Sequence, residues 1–294
     1  MEKTFYLCIK IIFMSHIRLG KYNQLKVVKE VDFGVYLDGD EDGEILLPKR
    51  YVPQGCVTGD MLNVFIYLDM DERLVATTLQ PYVQVGEFAC LEVAWVNQYG
   101  AFLNWGLMKD LFVPYREQKA KMVKGGRYIV YVYVDEESYR IVASAKVEHF
   151  LSKEHPVYEA GEEVDALVWQ RTDLGYKVIV DNKFGGMLYH NEVFQPLSPG
   201  KRVQAYVKQV REDGKIDLAL QKAGFGKVDD FAETLLQYIE NQGGFTTMHD
   251  KTDAAVIYNT FGVSKKTFKK AVGDLYKKRL IVLEKEGIRL VPQD

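Results

Sequence analysis

Cysteine is scarce in this sequence: Cys8, Cys56 and Cys90 are far apart in 294 residues and form no CxxC pair. That argues against a disulfide framework and a cysteine-based zinc site, and suits a reducing cytoplasm. Histidine is little commoner. His16, His149, His155, His190 and His249 form no HxxxH or HxH group, so neither metal nor cofactor is expected. A P-loop and a strand–GxGxxG–helix unit are both missing. Without these parts the chain reads as non-enzymatic.

No apolar run approaches the roughly 20 residues of a membrane span. Residues 5–13 are apolar but short, interrupted by Lys10, and lead to no small-residue cleavage site, which makes a poor signal peptide. Met14 follows at once. Residues 1–14 therefore read as an extension, either upstream of a true start at Met14 or docking on the first domain as a strand or helix. A basic excess is absent too, since the net charge is −3, which weakens any nonspecific electrostatic grip on nucleic acid.

What is present is an ordinary share of apolar residues, 47%, with 19 Tyr and 15 Phe. Such rings favour strands, fill β cores, and when exposed can stack on bases. They recur in register. Alternating strands bend at Gly34, Gly100 and Gly175, which are 66 and 75 residues apart. Gly59, Gly125 and Gly200 repeat the same intervals before another alternating strand. Apolar runs end at Pro48 and Pro114, with Met187-Leu188-Tyr189-His190 at the corresponding place. Each unit then has a charged turn and a last strand, giving about five short strands per unit. That pattern predicts an OB-type five-stranded Greek-key barrel, three in tandem, over residues 15–82, 83–150 and 151–224.

The tail, residues 225–294, changes period. Phe231, Leu235, Leu236 and Ile239 share one helical face, and Gly243-Gly244 stops it. A short helix over 253–260 follows. Ser264 then caps a helix from Lys265 to about Arg279, and a hairpin closes the chain. Three helices and a hairpin predict an α+β winged helix.

The repeat resembles the S1 RNA-binding motif. Phe33-Gly34-Val35-Tyr36, Tyr99-Gly100-Ala101-Phe102 and Leu174-Gly175-Tyr176-Lys177 stand at its first signature, and residues 186–192 at its second. The first two copies depart from the second signature, carrying Leu47-Pro48 and Val113-Pro114 where the motif places a histidine. Three units and a winged helix together resemble the CvfB family, conserved virulence factor B, over nearly the whole chain.

The resemblance implies binding of single-stranded RNA and post-transcriptional regulation of bacterial gene expression. By motif match the rings are Phe33, Tyr36, Tyr99, Phe102, Tyr176 and Tyr189, with His190 beside them. Phosphate contacts are expected from Arg171, Lys177, Lys183, Lys201 and Arg202 of the third barrel. Lys265, Lys266, Lys269 and Lys270 would add theirs from the last helix. Residues 19–81 hold 6 basic and 11 acidic side chains, whereas residues 160–224 hold 9 of each. RNA is therefore expected on the third barrel and winged helix, with the first barrel structural or facing a protein partner. The competing readings are a protein-interaction scaffold and an accessory factor for a ribosome or nuclease.

Overall fold

The computed structural model describes residues 17–190, 193, 197–220 and 228–291. The segment read as an N-terminal extension, and Asn191 and Glu192 of the second signature, lie outside them.

Three closed five-stranded barrels follow one another. The first comprises β1 (Tyr22–Val31), β2 (Gly34–Asp38), β3 (Glu44–Pro48), β4 (Met61–Leu68) and β5 (Leu74–Thr77). The second comprises β6 (Phe88–Val96), β7 (Gly100–Asn104), β8 (Leu111–Pro114), β9 (Arg127–Val134) and β10 (Ile141–Ser144). The third comprises β11 (Glu163–Arg171), β12 (Gly175–Val180), β13 (Phe184–Tyr189), β14 (Arg202–Val210) and β15 (Ile216–Ala219). In each, the third and fifth strands pair in parallel and the other neighbours antiparallel, which closes the sheet and leaves no free edge.

Two sequence features set this geometry. A Cβ on Gly34, Gly100 or Gly175 would stand within about 2.2 Å of the carbonyl oxygen of Leu47, Val113 or Leu188 on the facing strand. Only glycine allows that approach. The first strand of each barrel also shifts register at one place, between Val27 and Lys29, Val93 and Trp95, and Val168 and Gln170. Such a bulge bends the strand and reverses which face the following residues take.

The chain divides into two compact units, Met1–Leu151 and Ser152–Asp294. In the first unit, β4 is apolar on both faces. Val64 and Ile66 enter the first barrel's core, while Phe65 and Tyr67 join that of the second. The unbroken run Val64-Phe65-Ile66-Tyr67 reflects burial on both sides.

The second unit holds the third barrel and a winged helix made of α1 (Val228–Asn241), β16 (Phe245–Thr246), α2 (Ala254–Phe261), α3 (Lys265–Lys277), β17 (Ile281–Glu284) and β18 (Gly287–Leu290). Phe231, Leu235 and Ile239 of α1 pack with Phe268, Val272 and Leu275 of α3. The Asp253 and Ser264 side chains cap α2 and α3 by accepting from Ala255 N–H and Thr267 N–H. The expected parts are present, with one addition: β16, two residues long, pairs with β18 and completes a three-stranded sheet.

Candidate nucleic-acid interface

Strand register carries one row of residues around the outside of each barrel. In the second barrel the row runs Trp95, Phe102, Phe112, Val142, Tyr133. In the first it runs Lys29, Tyr36, Leu46, Val75, Tyr67. In the third it runs Gln170, Lys177, Met187, Asp217, Gln209. The same level of one fold is thus aromatic in the second barrel, mixed in the first and polar in the third.

The second barrel's row is built for stacking. The Trp95 and Phe102 rings lie 3.7 Å apart at 3°, and Phe112 continues the surface 4.9 Å from Phe102. Trp95 is 42% exposed and Tyr99, at the β6–β7 turn, 66%. The Trp95 indole N–H donates to Asp110 at 2.8 Å, which fixes the ring plane. A groove of about 1010 Å³ lies over this floor, walled by Met108 and by Met70 and Glu72 from the first barrel's β4–β5 turn. Its rim mixes signs. Arg140 pairs with Glu72, and Arg116 with Asp135 at 3.1 Å. Lys109 Nζ donates to the Asp69 carbonyl at 2.6 Å, and burial pushes the Lys109 pKa down.

On the first barrel, Phe33 is 57% exposed and meets Tyr36 edge-on at 6.3 Å, with Lys29 Nζ 5.6 Å from the Tyr36 ring centre. The acidic stretch 38–44 lies in and beside the β2–β3 turn, at the far end of β2 from Phe33 and Gly34. Over a five-residue strand that separation is roughly 13 Å. The acidic count of this barrel therefore misplaces the charge relative to its rings.

The third barrel requires a correction. Tyr176 is only 7% exposed and belongs to the barrel core, at the position of Val35 and Ala101. Side chains alternate along a strand, so the outward neighbour is Lys177, whose Nζ sits 5.2 Å from the Trp169 ring centre. Tyr189 is half-buried at the position of Pro48 and Pro114. His190 stands at the place of Lys49 and Tyr115, so the prolines are not the histidine's counterparts. Its Nε2 is 3.1 Å from the Thr172 carbonyl, as the Tyr115 hydroxyl is 2.7 Å from that of Asn97.

The expected cations are not gathered. Arg171 and Lys201 are exposed. Lys183 pairs with Glu154 at 2.7 Å, and Arg202 with Asp165, both near the β12–β13 turn and away from Tyr189. On α3, Lys266, Lys269 and Lys270 form an exposed face, and Lys265 is half-buried. No group of three or more His, Cys, Asp or Glu side chains among the described residues could hold a metal ion. No helix among the described residues is long and apolar enough to cross a membrane.

Sequence reading missed Trp95, Phe112, Arg211 and Asp217. The bulge hides Trp95, because plain alternation from Leu91 and Val93 would point it inward.

Barrel and tail together define a protein of tandem S1 barrels with a winged helix, both folds used for nucleic-acid binding. Residues 19–79 match the profile described as an S1 domain, and residues 233–290 that of a CvfB-like winged helix domain. The sequence is 30% identical over 272 residues to the uncharacterized protein YitL of Bacillus subtilis strain 168, spanning 88% of this chain and 89% of that one. It is 22% identical over 239 residues to conserved virulence factor B of Staphylococcus aureus strain N315, spanning 79% and 80%. A crystal structure of a multidomain protein with nucleic acid binding domains from Streptococcus pneumoniae TIGR4 is 26% identical and covers 93% of this chain and 98% of that one, with a TM-score of 0.42. The chain belongs to the CvfB family.

Proposed function

We propose that this chain is a non-enzymatic binder of single-stranded RNA whose bases stack on the Trp95–Phe102–Phe112 surface of the second barrel. The observation that carries the reading is the parallel, face-to-face Trp95–Phe102 stack, with Trp95 exposed and Phe102 half-buried, at the floor of an open groove. An indole left open to water sacrifices burial, and stacking on an unpaired base recovers it, by about 1–3 kcal/mol per base. The basic face of α3 supplies phosphate contacts. This reading moves the main base-binding surface from the third barrel, where charge counts put it, to the second. The S1 and winged-helix matches support nucleic-acid binding, and a regulatory role in bacteria, exerted on RNA in the cytoplasm, is part of the same proposal.

The test is fluorescence anisotropy of the full chain with labelled single-stranded RNA, wild type against Trp95→Ala. Removing an exposed ring leaves the barrel folded, and the expected loss is about 5- to 150-fold in affinity. An unchanged Kd would refute the stacking role.

A second reading rests on the groove's rim, where Glu72, Asp110, Asp135 and Glu137 face Lys109, Arg116 and Arg140. Excess carboxylate disfavours phosphate and suits a protein segment. RNA binding that weakens steeply with salt supports the first reading, and protein capture through the groove without RNA binding supports the second.

A further inference from the structure

The third barrel carries a charge arrangement found in neither of the others. In the turn between the fourth and fifth strands, Asp69, Asp135 and Arg211 occupy one position, each donating its N–H across the turn to Arg73, Arg140 or Lys215. On the fifth strand, Val75, Val142 and Asp217 occupy one position. The first two barrels thus place a carboxylate in the turn and an apolar side chain in the outer row. The third places a guanidinium in the turn and a carboxylate, 5% exposed, in the row.

Those two groups clasp one another. Arg211 Nε donates to Asp217 Oδ2 at 3.0 Å, and Nη2 lies 2.8 Å from Oδ1. Gln209 Nε2 also donates to Oδ2, at 2.8 Å. The other hydrogen of Nη2 goes to the Tyr189 hydroxyl. Burial alone would raise the Asp217 pKa, but the hydrogen bonds from Arg211 and Gln209 outweigh it and the carboxyl stays below its ordinary range. A guanidinium has five N–H donors, and three are spent here. The two on Nη1 meet no acceptor among the described residues, and the Arg211 side chain is 38% exposed. Met187 is next to Asp217 in the same outer row, and Lys177 follows beyond Met187.

We propose that Arg211 reads a nucleobase on the third barrel, its Nη1 amino group donating to a base carbonyl oxygen. This rests on the RNA-binding reading above and adds a site to it. The carboxylate beneath Arg211 cancels its charge, so the clasp attracts phosphate weakly. What it retains is a pair of fixed donors, which suit a neutral acceptor. Uracil, guanine and cytosine carry such a carbonyl, and adenine does not. Tyr189 and Asp217 are positioning residues. They hold the guanidinium in one orientation, which reduces the ordering cost when a base arrives.

The experiment compares full-chain binding to oligo(U) and oligo(A) across a salt series, for wild type, Trp95→Ala and two variants at the clasp. Arg211→Lys keeps a cation over the buried carboxylate but loses the donor fork. The double variant Arg211→Asp with Asp217→Val restores the pattern with which the first two barrels fold. Both clasp variants are expected to lose fivefold or more on oligo(U), and Arg211→Lys, which keeps the local charge, should leave oligo(A) affinity and the salt slope unchanged. Equal losses on both probes with a flatter salt slope would make Arg211 a phosphate contact and overturn the proposal. Unchanged oligo(U) binding would overturn it as well. A wild type that binds neither probe would instead refute the RNA reading on which the proposal stands.

Discussion

Phe65 of the first barrel meets Trp105 of the second edge to face, with ring centres 5.8 Å apart. Both rings are buried, and Tyr22 also meets Phe65 edge-on at 5.5 Å. The contact joins two barrels that each have a closed hydrogen-bonded sheet of their own, and this packing couples them beside the Lys109–Asp69 and Arg140–Glu72 pairs and the Val85 N–H to Gly20 carbonyl bond. Replacing Phe65 by Ala is expected to cost about 3–5 kcal/mol, the usual range for a buried ring. The loss should fall on the coupling. Hydrogen exchange of the wild type should show the first and second barrels opening together, and Phe65→Ala should let the first open alone at lower denaturant. Joint opening in the variant would mean the barrels are held by something else.

The close approach at Gly100 makes a second prediction. A methyl there would stand 2.2 Å from the Val113 carbonyl oxygen and 2.8 Å from the Phe112 ring. The neighbour is backbone in a paired strand and cannot turn aside. Gly100→Ala should therefore destabilise by about 1–3 kcal/mol, as overpacked positions do, read as a lower urea midpoint. It should also tilt Phe112 and so weaken RNA binding. A variant as stable as wild type would show that β7 and β8 can separate without cost.

Much of this architecture was legible in the sequence because it repeats. Glycine bends and turn glycines at constant spacing announced three barrels, and the change to a helical period announced the tail. The errors share one physical origin, the two-residue period of a strand. A single inserted residue at Val93/Trp95 turned Trp95 outward where alternation pointed it in. A single step past Gly175 put Tyr176 inward and Lys177 outward, although both flank the same signature. Charge counting is limited differently. It summed over a barrel and could not see that residues 38–44 sit at the end of β2 away from Phe33. The two-residue β16 is too short to show any period.

The exposed face of α3 leads to a prediction independent of the barrels. Lys266, Lys269 and Lys270 lie three and four residues apart and share that face, while Phe268, Ala271 and Val272 are buried. Replacing the three lysines by Ala leaves the packed face intact. If each contacts phosphate, the slope of log affinity against log salt should flatten by about 2, and affinity should fall alike for every RNA sequence. An unchanged slope would make this a solvated helix face with no part in binding.

The Asp217 carboxyl links the third barrel to pH. Its folded pKa lies below the ordinary 3.8, so the folded state favours the ionised form. The stability this contributes is complete above the unfolded value and disappears as pH falls through the folded one. Asp217→Asn removes the anion and leaves the Arg211 guanidinium over a neutral amide. Its stability penalty, measured as a urea midpoint, should be constant above about pH 5 and shrink as acid protonates the wild-type carboxyl. Arg211 is partly exposed, so solvent screens the pair and the penalty stays below that of a fully buried one. A penalty independent of pH would mean that Asp217 is held by shape and hydrogen bonding, with no contribution from its charge.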